Sequence, residues 1–421
     1  MSLRMCAATA AGALLFVAHA FGATPWAPAL REQRGFPSAA KATVVLPRAT
    51  SAADVTPVPV VGPGFLFVPD AGALANQVCA PGLDGPRQLA LGLSALLPSV
   101  GLDPQLVVVL ATQPLLCGDI FYQPLANDVR GIGYQHQPMG ELFDDTPDTR
   151  LQGMAFLNDF PYWQAHPAEF RNDFDHEVGH RWGARVHALI DGVDSSELLG
   201  RQLEHWSYFL NSGGSPLEGN VWTDLGGGQY QADTPLGPGT FSDLDLYAMG
   251  VLPAEQVRPQ QLLRPAAAAT VPDCLGLTLD ATSPPQSCGP YQTGGTALAV
   301  GIKDVIAVEG ERDPPAVALP ATVDVVVIVL QTGTQAFAGA SCEAVRDAVP
   351  ARIADFATAT GGRLLLNNLV TGGSDCAAFT GAPPANGFTG GCAVAPPCRP
   401  MPGWTLVACA LGWLVTRRRG R

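Results

Sequence analysis

The chain has 421 residues, 47% of them hydrophobic and only 14% charged, with a formal net charge of -13 at pH 7. That is ample apolar material for a sizeable core and for up to two compact units. An acidic chain with no clustered basic face in its body argues against nucleic acid as a partner, and 47 Gly with 38 Pro predict many loops and little long helix.

In chain order, Arg4, the apolar run Ala7 to Val17 and Ala18-His19-Ala20 have the order of an export signal: positive start, apolar stretch, small-x-small cleavage site. Residues 1–20 are therefore expected to be a signal peptide. Residues 21–63, rich in Ala, Pro and Thr, read as a leader with one strand at Thr43 to Leu46, and a removable pro-segment is one use for it. The β-branched and aromatic content of Phe65 to Val68, Leu106 to Ala111 and Asp119 to Tyr122 predicts strands, and Arg87 to Leu97 predicts a helix. Leu151 to Leu157 is a further apolar run.

The one short motif with a specific chemical reading follows, His176-Glu177-Val178-Gly179-His180, an H-E-x-x-H pattern. On a helix, residues four apart lie one turn above each other, so His176 and His180 can grip one zinc ion while Glu177 takes a proton from a water beside it. Asp173 or Asn172 is the expected cap, Asp173, Asp175 and Glu177 favour the positive helix end, and Phe174, Val178, Trp182, Val186 and Leu189 make a stripe at helical spacing that would face the core. Mixed sheet, last strand, then active-site helix is similar to the zincin metalloproteases. That resemblance implies an α+β fold in which Leu151 to Asn158 lines the cleft and pairs with extended substrate.

A catalytic zinc takes three protein ligands and keeps one position open, so a third ligand should lie downstream. His187 is nearest. The metzincin pattern H-E-x-x-H-x-x-G-x-x-H is matched at His176, Glu177, His180 and Gly183, but its last histidine would fall at Val186. On a continuing helix His187 would lie about 10 Å along the axis from His180, out of reach unless the helix breaks at Gly183. His205 comes next, in a stretch that Ser195 or Ser196 could cap as a second helix. Gluzincins draw a glutamate from such a helix, which makes Glu204 a competitor, but the segment His205-Trp206-Ser207 favours the imidazole.

The last candidate lies in Gly239 to Gly250. It loosely resembles the aspzincin motif G-T-x-D-x-x-Y-G, with extra residues before the tyrosine, and Tyr247-Ala248-Met249-Gly250 resembles the methionine turn of metzincins. The resemblance offers Asp245 as a ligand, or as a carboxylate holding a ligand histidine, and Tyr247 as a donor to the developing oxyanion. A capped helix start with a core tyrosine is the plain alternative for both.

Ser212 to Gly239 reads as loops over the cleft. Beyond Leu298, the apolar run Val325 to Leu330, a helix over Cys342 to Thr358 and a strand over Arg363 to Leu369 predict a smaller α/β unit behind a catalytic domain of residues 64–298. Residues 371–400 are linker-like. They run through Gly390-Gly391-Cys392 into an uncharged stretch, Met401 to Thr416, and Arg417-Arg418-Arg419-Gly420-Arg421. Cysteine, apolar helix and arginine cluster in that order resemble the MYXO-CTERM sorting tag. The resemblance implies a membrane helix that is processed and a protein delivered to the cell surface. Setting aside Cys6, Cys392, Cys398 and Cys409 leaves six body cysteines, and the modest loops favour pairs 79 with 117, 274 with 288 and 342 with 376.

H-E-x-x-H-R-W-G, H-W-S, S-x-L-D-L-Y-x-M-G and the stretch Gly301 to Gly310 together resemble exported, MYXO-CTERM-tagged metalloproteases over roughly residues 65–370. The implied function is a monomeric zinc peptidase acting on a protein or peptide. A surface-binding protein on a catalytically silent zincin scaffold is the other reading. A serine hydrolase lacks its G-x-S-x-G elbow here.

Overall fold

The computed structural model describes residues 57–70, 74–78, 84–115, 120–136, 149–233, 239–266, 269–270, 278–285, 290–332, 337, 339–373 and 375–378. The expected signal peptide, the strand at 43–46, the sorting tag and the cysteine pairs 79/117 and 274/288 lie outside them. Along the chain come β1 (Val60–Val61), β2 (Leu66–Val68), α1 (Ala75–Val78), α2 (Asp84–Leu96), β3 (Leu106–Ala111), β4 (Phe121–Pro124) and β5 (Gly153–Asp159). Two helices follow, α3 (Phe160–Ala165) and α4 (Pro167–Gly179), then β6 (Ala188–Ile190), β7 (Val193–Ser195), β8 (Trp206–Asn211), β9 (Glu218–Gly226) and β10 (Gln229–Asp233). The remainder is α5 (Asp243–Ala248), β11 (Gln260–Pro265), β12 (Ala269–Thr270), β13 (Thr278–Leu279), β14 (Tyr291–Val300), α6 (Ile302–Glu309), β15 (Ala321–Leu330), α7 (Ala340–Ala359) and β16 (Leu364–Asn368). This is an α+β protein.

Its main sheet has the order β1-β2-β15-β3-β5-β4, with β16 also beside β15. The central strands β15, β3 and β5 run parallel, and β3 and most of β15 are buried along their length. The sequence of β3, Leu-Val-Val-Val-Leu-Ala, and Val325–Leu330 of β15, Val-Val-Val-Ile-Val-Leu, are the continuous apolar runs that a strand covered on both faces requires. One face, with Val107, Val109, Phe156 and Ile328, packs on Leu89 and Leu93 of α2. The opposite face, with Val108, Leu110, Leu157 and Val327, packs on Phe170, Phe174 and Val178 of α4 and on Val345 and Phe356 of α7. The motif helix is thus anchored on the sheet by residues spaced four apart.

Several expectations are corrected. The α/β unit expected beyond residue 298 is not separate: β15 hydrogen-bonds β3 on one side and β2 and β16 on the other, so it is a central strand of the same sheet as β5. The substrate-pairing role expected of residues 151–158 does not suit β5, whose two neighbours, β3 and β4, already use its backbone; among the described residues the antiparallel β4 is the sheet's edge there. Much of Ser212 to Gly239, read as loops, is β9 and β10, which close a barrel in the order β10-β14-β11-β8-β9. The disulfide expected between Cys342 and Cys376 is present and ties the start of α7 to the chain after β16. Among the described residues no helix is long and apolar enough to cross a membrane.

Candidate metal centre

Helix α4 begins earlier than its acidic residues suggest. Pro167 opens it, His166 is the N-cap without a side-chain bond, and Asn172 and Asp173 fall inside. It also ends early, at Gly179, so of the five-residue stripe only Phe174 and Val178 lie on it; Trp182 is in the following turn, and Leu189 is on β6 and 40% exposed. His180 is the C-cap, with its amide still donating to the His176 carbonyl at 3.1 Å. The histidine pair therefore keeps its helical stacking. The chain can turn there because Gly179 and Gly183 leave room: a Cβ on Gly179 would stand 2.8 Å from Phe241, and one on Gly183 would stand 2.7 Å from Leu217.

His205 arrives from a different kind of element. The expected second helix capped by Ser195 or Ser196 is absent; β7 ends at Ser195, and a tight turn over Arg201–Leu203 leads directly into β8. Gln202 and Leu203 both take positive φ, 58° each, which turns the chain sharply enough to aim His205 back at α4.

The three imidazoles converge. His176 Nε2 lies 3.0 Å from His180 Nε2 and 3.2 Å from His205 Nε2, and the three ligand atoms all fall within 4.8 Å of one another. Each ring is held from behind by a carbonyl at Nδ1: Pro216 O at 2.7 Å for His176, Gly183 O at 3.2 Å for His180 and Arg201 O at 3.1 Å for His205. A carbonyl only accepts, so each Nδ1 carries the proton and each Nε2 presents a lone pair. Three lone pairs pointed at one another repel; a cation at their focus turns that repulsion into coordination. Burial drives all three imidazoles toward the neutral form that ligates, His176 to about 4 and the other two well below the ordinary histidine range.

Glu177 lies beside this nest, Oε1 4.0 Å from His176 Nε2. Its Oε2 is buried with no hydrogen-bond partner, and burial, helped by nearby Asp173, raises its pKa well above the carboxylate range. Such a carboxylate readily accepts a proton.

Of the remaining candidates, none joins the histidines. Asp245 is spent on other bonds: it accepts from Trp206 Nε1 at 2.8 Å, from the Ser215 hydroxyl at 2.8 Å and from the Ser242 amide at 2.7 Å. It holds no ligand histidine directly, but it links the neighbours of two of them: Trp206 follows His205, and Ser215 precedes the Pro216 whose carbonyl receives His176. The hydroxyl of Tyr247 accepts from the backbone amide of Arg312 at 3.0 Å. Glu204 turns toward Arg185 Nε at 3.7 Å. His187 lies on the far side of the turn, bonded to Asp194 at 2.7 Å and stacked on His136 at 3.8 Å.

Sequence reasoning missed Arg185 and Glu218. Arg185 is 1% exposed, donates to the carbonyls of His180 at 2.6 Å and Gly183 at 3.0 Å, and stacks on Tyr134. It fixes the turn that orients His180. Glu218 is buried, with Oε1 3.9 Å from His205 Nε2. The only hint for Arg185 was an arginine amid small and apolar residues; for Glu218 there was none.

Known families, curated proteins and solved structures offer no match to this chain.

Proposed function

We propose that the chain is an exported zinc-dependent peptidase that hydrolyses peptide bonds in a protein or peptide substrate. The convergence of three Nε2 lone pairs with Glu177 alongside carries the reading. An all-imidazole nest suits zinc among the common divalent ions. Zinc held there would supply Lewis acidity, lowering the pKa of a water and polarising the scissile carbonyl. His176, His180 and His205 would hold the ion, while Arg185 and the three backbone carbonyls keep their rings aimed. Glu177 takes one proton from the water as its oxygen attacks the carbonyl carbon, then passes that proton to the leaving amine as the C–N bond breaks. An extended substrate would pair with the edge strand β4 rather than β5. The signal-like residues 1–20 and the tag-like residues 392–421 support delivery to the cell surface.

The test is metal content and proteolysis by the purified full chain. One zinc per chain and cleavage of casein or a mixed peptide library, lost with a chelator and restored by zinc, are expected. Glu177→Gln should keep the zinc and lose roughly a thousandfold in rate. His205→Ala should lose both. A zinc-loaded protein that leaves every substrate intact would move the reading to a surface-binding protein on the same scaffold.

A further inference from the structure

The nest has a second carboxylate beside it, next to His205 rather than His176. Glu218 Oε1 stands 3.9 Å from His205 Nε2, as Glu177 Oε1 stands 4.0 Å from His176 Nε2. The likeness extends further: the Oε2 atoms of both residues are buried without a hydrogen-bond partner. A buried acceptor with no donor is costly, and each of these two carboxylates carries one.

The backbone around Glu218 is built at some conformational expense. Glu218 takes φ 76°, a left-handed conformation that a glutamate rarely adopts. Its amide donates to Ser215 O at 3.0 Å and its carbonyl accepts from the Ser212 hydroxyl at 2.7 Å, so the turn is locked. Strain of this kind persists where the surroundings over-determine it, and it gathers at functional sites. Arg201 completes the clamp: its Nε donates to Glu218 Oε1 at 2.7 Å, while its carbonyl receives His205 Nδ1. With Oε1 fixed by the guanidinium, Oε2 is the atom left over.

We propose that Glu218 is a second functional carboxylate of this centre, accepting a hydrogen bond from the reacting water while Glu177 takes that water's other proton. The inference rests on the hydrolytic reading above. Water has two O–H bonds, and two carboxylates that approach ligand nitrogens of the nest within 4.0 Å each carry an Oε2 without a donor. In the attack, the proton on the Glu177 side leaves for the amine nitrogen, and the hydrogen on the Glu218 side stays on the oxygen that becomes part of the product carboxyl group. Glu218 gains no proton. It fixes which lone pair of the water faces the carbonyl carbon, a positional effect of the kind that controls rates strongly.

Cobalt(II) loading of the metal-free full chain tests this without relying on turnover, because the visible bands of bound cobalt report its surroundings and azide displaces bound water. Wild type and Glu218→Gln should each hold one cobalt per chain. Azide should bind the Glu218→Gln protein about tenfold more tightly, since one nearby negative charge and one hydrogen bond to the displaced water are both gone. Equal azide affinity and superimposable bands in the two proteins would reduce Glu218 to a structural partner of Arg201 and overturn the proposal. Should Glu218→Gln fail to fold, Glu218→Asp keeps the charge but withdraws it by one methylene: shifted bands at unchanged cobalt content are then expected, and unshifted bands overturn the idea. A wild-type chain that takes up no cobalt and no zinc would remove the metal reading itself, whereas cobalt binding with unaltered azide affinity removes only the role of Glu218.

Discussion

At the scale of single residues, the centre separates groups that would hold a metal from groups that hold the holders. Asp245 belongs to the second kind, with three donors converging on a fully buried carboxylate. Removing it leaves those donors unmet, so Asp245→Ala should cost about 3 kcal/mol in denaturant unfolding and yet retain the metal stoichiometry. His205→Ala should do the reverse, abolishing stoichiometric metal while leaving the metal-free stability nearly intact. Equal metal loss in both variants at native fold would return Asp245 to the ligand set. Asp175 offers a pH-dependent case. It is 2% exposed, its Oδ1 has no partner, and burial pushes its pKa to about 8, with Asp355 adding and Arg171 and Arg352 opposing. A folded value raised above the unfolded one means that its contribution is complete below pH 3.8 and is lost as pH rises through about 8. Asn mimics the protonated form. Asp175→Asn should therefore match wild type near pH 4 and exceed it by about 2 kcal/mol at pH 9; a difference that shrinks on going alkaline would show that the carboxylate is stabilised, not penalised, by its site.

At the scale of elements, α4 and the turn after it explain why the motif was legible and its surroundings were not. Spacing alone put His176 and His180 on one face, since a period of 3.6 residues is a property of any helix. Where the helix would stop depended on partners distant in sequence: Phe241 and Leu217 press against Gly179 and Gly183, and Arg185 draws in the carbonyls of His180 and Gly183. The loop carrying His205 was unreadable for a similar reason. Its Trp-Ser-Tyr-Phe-Leu sequence suits a helix stripe as well as a buried strand, and barrel partners decide for β8. The long apolar runs of β3 and β15 were legible because burial on both faces leaves only one kind of sequence. The close approach at Gly179 gives the prediction for this scale. Gly179→Ala puts a methyl 2.8 Å from Phe241 Cε1 and 3.3 Å from Leu217. Leu217 adjoins Pro216, the acceptor for His176. The substitution should lose about 1–3 kcal/mol through overpacking and weaken metal retention against a chelator; unchanged retention would mean that Phe241 yields without disturbing the Pro216 turn.

At the scale of the molecule, the decisive feature is where β15 lies. Composition changes after residue 298 suggested a second unit, because periodicity reports the kind of element and not its partner. In the fold, Val325–Leu330 pairs residue by residue with Leu106–Ala111, and Ile328–Leu330 pairs with Leu66–Val68 on the other side. The same segment brings α7, whose Phe356 packs on Phe241 at 5.4 Å, and Phe241 in turn contacts the Gly179 end of the motif helix. A chain ending at Leu298 would therefore lose the strand between β2 and β3, leaving two sheet fragments with open edges and the α4 face of the core uncovered. Such a fragment should express as aggregate or as a soluble chain without cooperative unfolding, and it should not hold stoichiometric metal even though His176, Glu177, His180, His205 and Glu218 are all present. Supplying residues 299–378 in trans should restore folding and metal uptake together, since the missing strand has one place to go. A fragment 64–298 that unfolds cooperatively and binds one metal on its own would instead show that the centre is assembled by the barrel and α4 alone, and that β15 serves only the distant part of the sheet.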